Sequence, residues 1–298
     1  MEILRYTAFS SDPSGGNPAG VVLDATGVDD AAMQAAAARV GFSETAFLLP
    51  PGEAGGEAEV RYFSPLAEVP FCGHATIATA VAHAHRFGVG ELRLRTQAGP
   101  VTVTTAAAAA VAADGTGDGA GDGAVRATLV SVPPRVAPIA AADLAELLAA
   151  LRWRADELDP ALPPRVAYAG AWHPVVAAAS RQRLAELDYD LPALTELMRR
   201  LGWTTVDLVW RESATVFHAR NPFPPGGVLE DPATGAAAAA LGGYLRELGL
   251  VAVPAELTVH QGQDLGRPSV IGVGVPAEPG SGIAVSGTAV PLGPPPSA

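Results

Sequence analysis

The chain has 298 residues, of which 49% are hydrophobic and 17% charged, and its formal charge is −12 at pH 7. Such a composition excludes a disordered chain and leaves one large folded domain or two of about 150 residues. An acidic surface of this size repels phosphate backbones and anionic membranes, so neither nucleic acid nor lipid is an expected partner.

The residue inventory excludes chemistry as well. Cys72 is the only cysteine, which rules out an internal disulfide and a cysteine-rich zinc cluster. All 19 basic residues are arginine, so neither a lysine aldimine nor a phosphate-loop lysine can form. No apolar run approaches the roughly 20 residues that span a bilayer. The opening residues lack the charged-then-apolar pattern of a signal peptide, and the cytoplasm is the expected location.

Residues 1–30 alternate apolar and polar positions around the turn cluster SSDPSGGNPAG, which predicts paired strands. Asp29 and Asp30 then open a helix that Gly41 ends. SETAFLLP and AEVRYFSP read as strands. A loop leads into CGHATIATAVAHAHRFG, a mostly apolar helix closed by Gly88, and GELRLRTQAGPVTVTTA returns to strand. Residues 112–123 are a Gly/Asp tract expected to be a loop; the tract lacks the recurring aliphatic position of calcium-binding repeats. No G-x-G-x-x-G follows a strand, so dinucleotide binding has no support. Helical patterns cover residues 140–152 and 180–201, TTVDLVW and ATVFHA read as strands, and a last helix runs to about Leu248 before short strands. This is not the βαβ rhythm of a parallel sheet, and the expected class is α+β.

The two most apolar helices have similar approaches: each follows a strand and a Pro-containing loop. Cys72-Gly73-His74-Ala75-Thr76 can be laid over Pro232-Ala233-Thr234-Gly235-Ala236, about half a chain length later. The expected architecture is two pseudo-symmetric lobes, each a sheet or barrel around one central apolar helix. The lobes would be residues 1–128, joined by a returning strand from 283–298, and residues 129–282. Small residues at a helix start leave backbone N–H groups approachable, and the dipole there favours an anion. If the lobes face one another, two such starts would grip one carboxylate. The plainer reading of EDPATG is a well-formed cap, with Asp231 at the N-cap and Pro232 at the first helical position.

Five segments taken together, SGGNPAGVVLDA, GFSETAFLLP, RYFSPLAEVPFCGHATIATA, EDPATGAAAAALGGYL and HQGQDLGRPS, resemble the phenazine-biosynthesis PhzF-like family. The resemblance covers most of the chain in order, except the Gly/Asp tract and much of 135–200. It implies the two-lobed diaminopimelate epimerase fold, a cofactor-independent isomerase that acts on a small carboxylic acid, and a homodimer.

By the same resemblance Glu44, in the SET motif, is the general acid/base. Read alone, a glutamate in a strand is usually a solvated face residue; carboxylates in partly desolvated sites titrate nearer neutrality and can both take and return a proton. His74 in CGH and Asp231 in EDP occupy the family's other catalytic positions, where they would orient substrate and stabilise charge. Backbone N–H groups near Gly73, Gly235 and Ala236 would hold the carboxylate. Ala236 departs from the family's usual serine, which puts the phenazine precursor in doubt as substrate. Related racemases use two thiols, and this chain has one, so a two-thiol mechanism is impossible. Cys72 reads as a small buried residue, with a thiol-dependent lyase or dehydratase as the rival and a non-catalytic acid-binding protein as a further alternative. Asn17, Gln261, Arg267 and Ser269 read as turn and framework residues. His83 and His85 cannot share a helix face, and His173, His218 and His260 have no ligand spacing, so no metal or cofactor is expected.

Overall fold

A computed structural model describes residues 1–51, 56–108 and 124–293; the Gly/Asp tract at 112–123 lies outside them. The chain divides into two compact units, Met1–Val130 with Ser286–Ala298, and Ser131–Val285.

In the first unit the strands are β1 (Leu4–Ala8), β2 (Asn17–Val22), β3 (Glu44–Leu49), β4 (Ala58–Phe63), β5 (Glu68–Val69), β6 (Glu91–Thr96), β7 (Gly99–Ala107) and β8 (Val125–Val130). The helices are α1 (Asp30–Val40) and α2 (Gly73–Phe87). β1 and β2 form the antiparallel pair expected from the sequence, with Ala8 opposite Asn17. Gly16 makes the turn: its φ is +68°, and a Cβ there would lie 2.4 Å from the Ala8 carbonyl oxygen. Strand β2 runs parallel to β3, β3 is antiparallel to β4, and β4 is parallel to β6. β6, β7 and β8 follow antiparallel. The ring is closed by a returning strand (Ala284–Pro291, β17 of the chain), which pairs with both β8 and β1. Eight strands thus surround α2. That helix buries ten of its fifteen residues, and its polar members are internally satisfied: Thr76 and Thr79 donate to the Cys72 and Ala75 carbonyls. On the outside, α1 packs Met33, Ala36 and Ala37 against Phe47 and Phe63. Asp29 caps it by accepting from the Ala32 N–H, and Gly41 ends it in the left-handed region.

In the second unit the elements are β9 (Arg135–Pro138), α3 (Ala141–Leu151), β10 (Arg165–Tyr168), β11 (Trp172–Ala177), α4 (Arg181–Ala185), α5 (Leu191–Leu201), β12 (Asp207–Arg211), β13 (Val216–Pro222), β14 (Glu230–Asp231), α6 (Gly235–Glu247), β15 (Ala255–Gln261) and β16 (Ser269–Val275). The sheet order is β9-β10-β11-β12-β13-β15-β16. Helix α6 touches β9, β10 and β11 as well as β16, so this sheet also curls round its central helix. Close packing explains the ALGGYL stretch, since a Cβ on Gly243 would sit 2.4 Å from Pro134. A second core joins α3, α4 and α5 to the sheet through Leu147, Leu151, Leu184, Leu194, Leu197 and Leu208. The helical pattern of 180–201 is two helices, because Asp190 caps the second by accepting from the Ala193 N–H. An α+β fold of two barrel-like lobes, each with a central helix, is what the chain adopts.

Candidate active site

In the first unit the parallel pairing of β2 with β3 sets Ala19 opposite Glu44. Asn17 and Glu44 therefore begin neighbouring strands at one end of the barrel, where α2 also begins. Cys72 is the N-cap of α2 and makes no side-chain capping bond. Its carbonyl is fixed by the Thr76 hydroxyl at 2.6 Å, which in turn bonds the fully buried Tyr62 hydroxyl at 2.6 Å.

Around this start the side chains converge. The Cys72 thiol donates to Glu44 Oε2 at 3.5 Å. His74 Nε2 lies 3.4 Å from the same oxygen and 3.3 Å from Ser43 Oγ. Asn17 Nδ2 lies 3.2 Å from His74 Nδ1; an amide donating there fixes the ring proton on Nε2, facing Glu44. Cys72 and His74 are buried, while the Glu44 side chain keeps 16% of its surface exposed. The group can hold a proton on one oxygen with a second donor beside it. Ionising thiol and carboxylate together would put two negative charges 3.5 Å apart. Glu44, Cys72 and His74 also bring three potential metal-ligating atoms within 4.8 Å of one another. Histidine spacing gave no sign of this, because Glu44 precedes Cys72 by 28 residues.

The second unit builds a different helix start. Helix α6 begins at Gly235 with Thr234 as N-cap. This corrects the plainer of the two sequence readings, in which Asp231 was the cap, and it shifts the internal comparison by two residues, since Cys72 now matches Thr234. The cause is a hydrogen-bonded turn ahead of the helix. The Thr234 hydroxyl donates to Asp231 Oδ2 at 2.6 Å, and Gln261 Oε1 accepts from the Thr234 N–H at 3.0 Å. Gln261 Nε2 donates to the Asp231 carbonyl at 2.7 Å, and Ser269 Oγ donates to the Pro232 carbonyl at 3.1 Å. The HQGQDLGRPS motif is thus framework for this turn. Asp231 and Gly235 are buried and Ala236 partly so. Beside Asp231, Glu230 forms a buried two-point ion pair with Arg220.

Asn17 and Ser43 were not singled out as site residues by sequence reasoning; their contacts with His74 arise only from the barrel register. Behind the α6 turn, Asn221 stands opposite Asp231 and donates to Asp207. Burial pushes the Asp207 carboxyl up to about 7 and the His173 imidazole down to about 4. On adjacent strands His218 and His260 face each other, with ring centres 5.1 Å apart and His218 bonded to Glu212.

The sequence profile of phenazine biosynthesis-like proteins matches residues 6–293. The chain is 30% identical over 276 residues to the uncharacterized isomerase YfhB of Bacillus subtilis, covering 89% of this chain and 87% of that one. It is 31% identical over 266 residues to the trans-2,3-dihydro-3-hydroxyanthranilate isomerase of Pseudomonas fluorescens, covering 89% and 86%. A crystal structure of a PhzF-family phenazine biosynthesis protein from Bacillus anthracis superposes with a TM-score of 0.83, covering 98% of each chain at 26% identity.

Proposed function

Because this chain belongs to the phenazine biosynthesis-like protein family and is an isomerase, we propose that it shifts a proton within a small carboxylic acid with Glu44 as the single acid/base. Glu44 takes a proton from one carbon, holds it on a carboxyl oxygen and returns it to a neighbouring carbon on the same face, so a double bond moves with no net gain or loss of protons. His74, through Nε2–H, and the first-turn amides of α2 at Gly73 and His74 stabilise the negative charge that develops meanwhile.

The carrying observation is the Glu44 carboxylate, partly exposed and 3.4 Å from His74 Nε2 at the mouth of an apolar helix. The Cys72 thiol lies 3.5 Å from Glu44 Oε2 and 3.4 Å from His74 Nδ1, so a Cys72→Ala variant separates the two candidate bases. Ala236 offers no hydroxyl to a substrate, so the expected substrates are small cyclic or unsaturated acids rather than one fixed compound. The dihydrohydroxyanthranilate handled by the Pseudomonas relative is the first to assay.

The test is turnover in deuterated water, followed by NMR. A single base gives a double-bond shift with retained facial geometry and partial carry-over of the original proton. Inversion at the reacting carbon with complete deuterium uptake would require a second base and defeat the proposal.

A further inference from the structure

We infer that Tyr62, acting through Thr76, is a positioning residue for the reaction: its hydroxyl fixes and polarises the Cys72–Gly73 peptide at the start of α2. The inference rests on the proposed reading of the first-turn amides as the groups that stabilise developing charge.

The two hydroxyls can be arranged in only one direction. A carbonyl oxygen only accepts, so the single Thr76 hydroxyl proton goes to the Cys72 oxygen at 2.6 Å. Tyr62 therefore donates to Thr76 Oγ, also at 2.6 Å. The Cys72 oxygen accepts from the Thr76 N–H as well, at 3.0 Å. Tyr62 is 1% exposed, and burial pushes its phenol above the ordinary titration range, so it is a neutral donor near pH 7. Two donors on one carbonyl polarise its peptide, and the N–H of that peptide belongs to Gly73. Hydrogen bonds linked in this way strengthen one another by about 10–30% each. The Gly73 N–H has no acceptor within the helix, so the gain passes to an anion that meets it.

The barrel register gives this bond a second effect. Tyr62 on β4 stands opposite Ala46 on β3, two residues after Glu44. Paired residues, and residues two apart on a strand, share a sheet face, so Tyr62 reaches α2 from the side that carries Glu44. Most of the buried surface of α2 is small and apolar, with Ala75, Ala78, Ala80, Ala82 and Ala84 along it, and such a surface does little to fix a helix along its axis. Thr79 turns its hydroxyl back to the Ala75 carbonyl. Tyr62 thus sets the height of the α2 start, and with it His74, against the strand of Glu44. About three turns along the helix from His74, the Tyr6 hydroxyl bonds His85 Nδ1 at 3.1 Å. That bond ties helix to barrel in the same way, far from Glu44.

The experiment compares full-length Tyr62→Phe, Thr76→Val and Thr76→Ser, with Tyr6→Phe as the control that removes the distant tie. The amide cross-peak of Gly73 is followed by NMR, and steady-state rates are measured on an acid that the parent isomerises. Tyr62→Phe and Thr76→Val shift the Gly73 nitrogen upfield and lower kcat about 3- to 30-fold, a weakened donor costing less than a lost one, with KM within about twofold of the parent. Thr76→Ser, which keeps the hydroxyl, restores both readouts, and Tyr6→Phe leaves both at parental values. The cross-peak is read without turnover, so a Glu44→Gln variant at the parental rate would defeat the proposed reaction while the Gly73 shift still reports on the peptide. An unmoved Gly73 cross-peak in Tyr62→Phe, a kcat within about twofold of the parent, or an equal loss in Tyr6→Phe overturns the inference.

Discussion

Arg220→Met tests how the turn that carries Asp231 is held. Arg220 meets Glu230 at two points, Nε to Oε1 at 3.0 Å and Nη2 to Oε2 at 2.5 Å, and its Nη1 donates to the Ala185 carbonyl at 2.7 Å. The two side chains are 9% and 3% exposed, so water does little to compensate a lost partner. Removing the guanidinium strands a buried carboxylate, at a cost of about 3–5 kcal/mol. Replacing both residues, Arg220→Met with Glu230→Leu, removes the stranded charge and leaves mainly the Ala185 carbonyl without its donor, a cost of about 1–3 kcal/mol. All four tryptophans (Trp153, Trp172, Trp203 and Trp210) lie in the second unit, so their fluorescence during urea unfolding reports on the unit that holds the pair. With a slope of about 2 kcal/mol per molar urea, the single variant unfolds about 1.5–2.5 M earlier and the double variant about 0.5–1.5 M earlier, recovering about half of the shift. A single variant within about 0.5 M of the parent, or a double variant whose loss is the sum of both singles, would refute the reasoning.

Asp207 and His173 set opposing pH dependences. The unfolded chain gives up the aspartate proton near 3.8 while the folded carboxyl keeps it to about 7, so this group lowers stability as pH rises through that window. His173, held at about 4 against an ordinary 6.5, raises stability as pH rises through its own window. Asp207→Asn therefore gains on the parent by up to about 4 kcal/mol between pH 4 and 7 in fluorescence-detected unfolding, and parallel curves would contradict this. Gly262→Ala costs about 2–4 kcal/mol, because φ is +80° and the new Cβ would meet the Arg267 and Pro232 carbonyl oxygens at 2.2 and 2.7 Å; a stability equal to the parent's would count against the framework role of that loop. Cys72→Ala keeps turnover within about tenfold of the parent, a change short of the loss expected on removing an acid/base, whereas complete loss would move the proton-transfer role to the thiol.

The central helices were legible because almost every side of each is apolar, and the β1–β2 pair was legible from its turn residues. The helical pattern of 180–201 gave no boundary; the structure divides it into Arg181–Ala185 and Leu191–Leu201, with Asp190 capping the second. The α6 cap was misplaced for a local reason: Asp-Pro is an ordinary helix opening, and the turn that makes Thr234 the cap is held by Gln261, far along the chain, as well as by Asp231. Glu44 and His74 were found by resemblance, since neither stands out by spacing. Their contact with Asn17, Ser43 and Cys72 depends on a parallel β2–β3 register that no local pattern encodes. His218 and His260 faced each other unexpectedly for the same reason, as residues of adjacent parallel strands.

The most direct measurement compares parental and Glu44→Gln rates on the dihydrohydroxyanthranilate or another acid that the parent is shown to isomerise, with binding of that acid measured separately. The account predicts that the amide variant binds the acid about as well and turns it over about a hundred- to ten-thousand-fold more slowly. An amide variant working at the parental rate would contradict it.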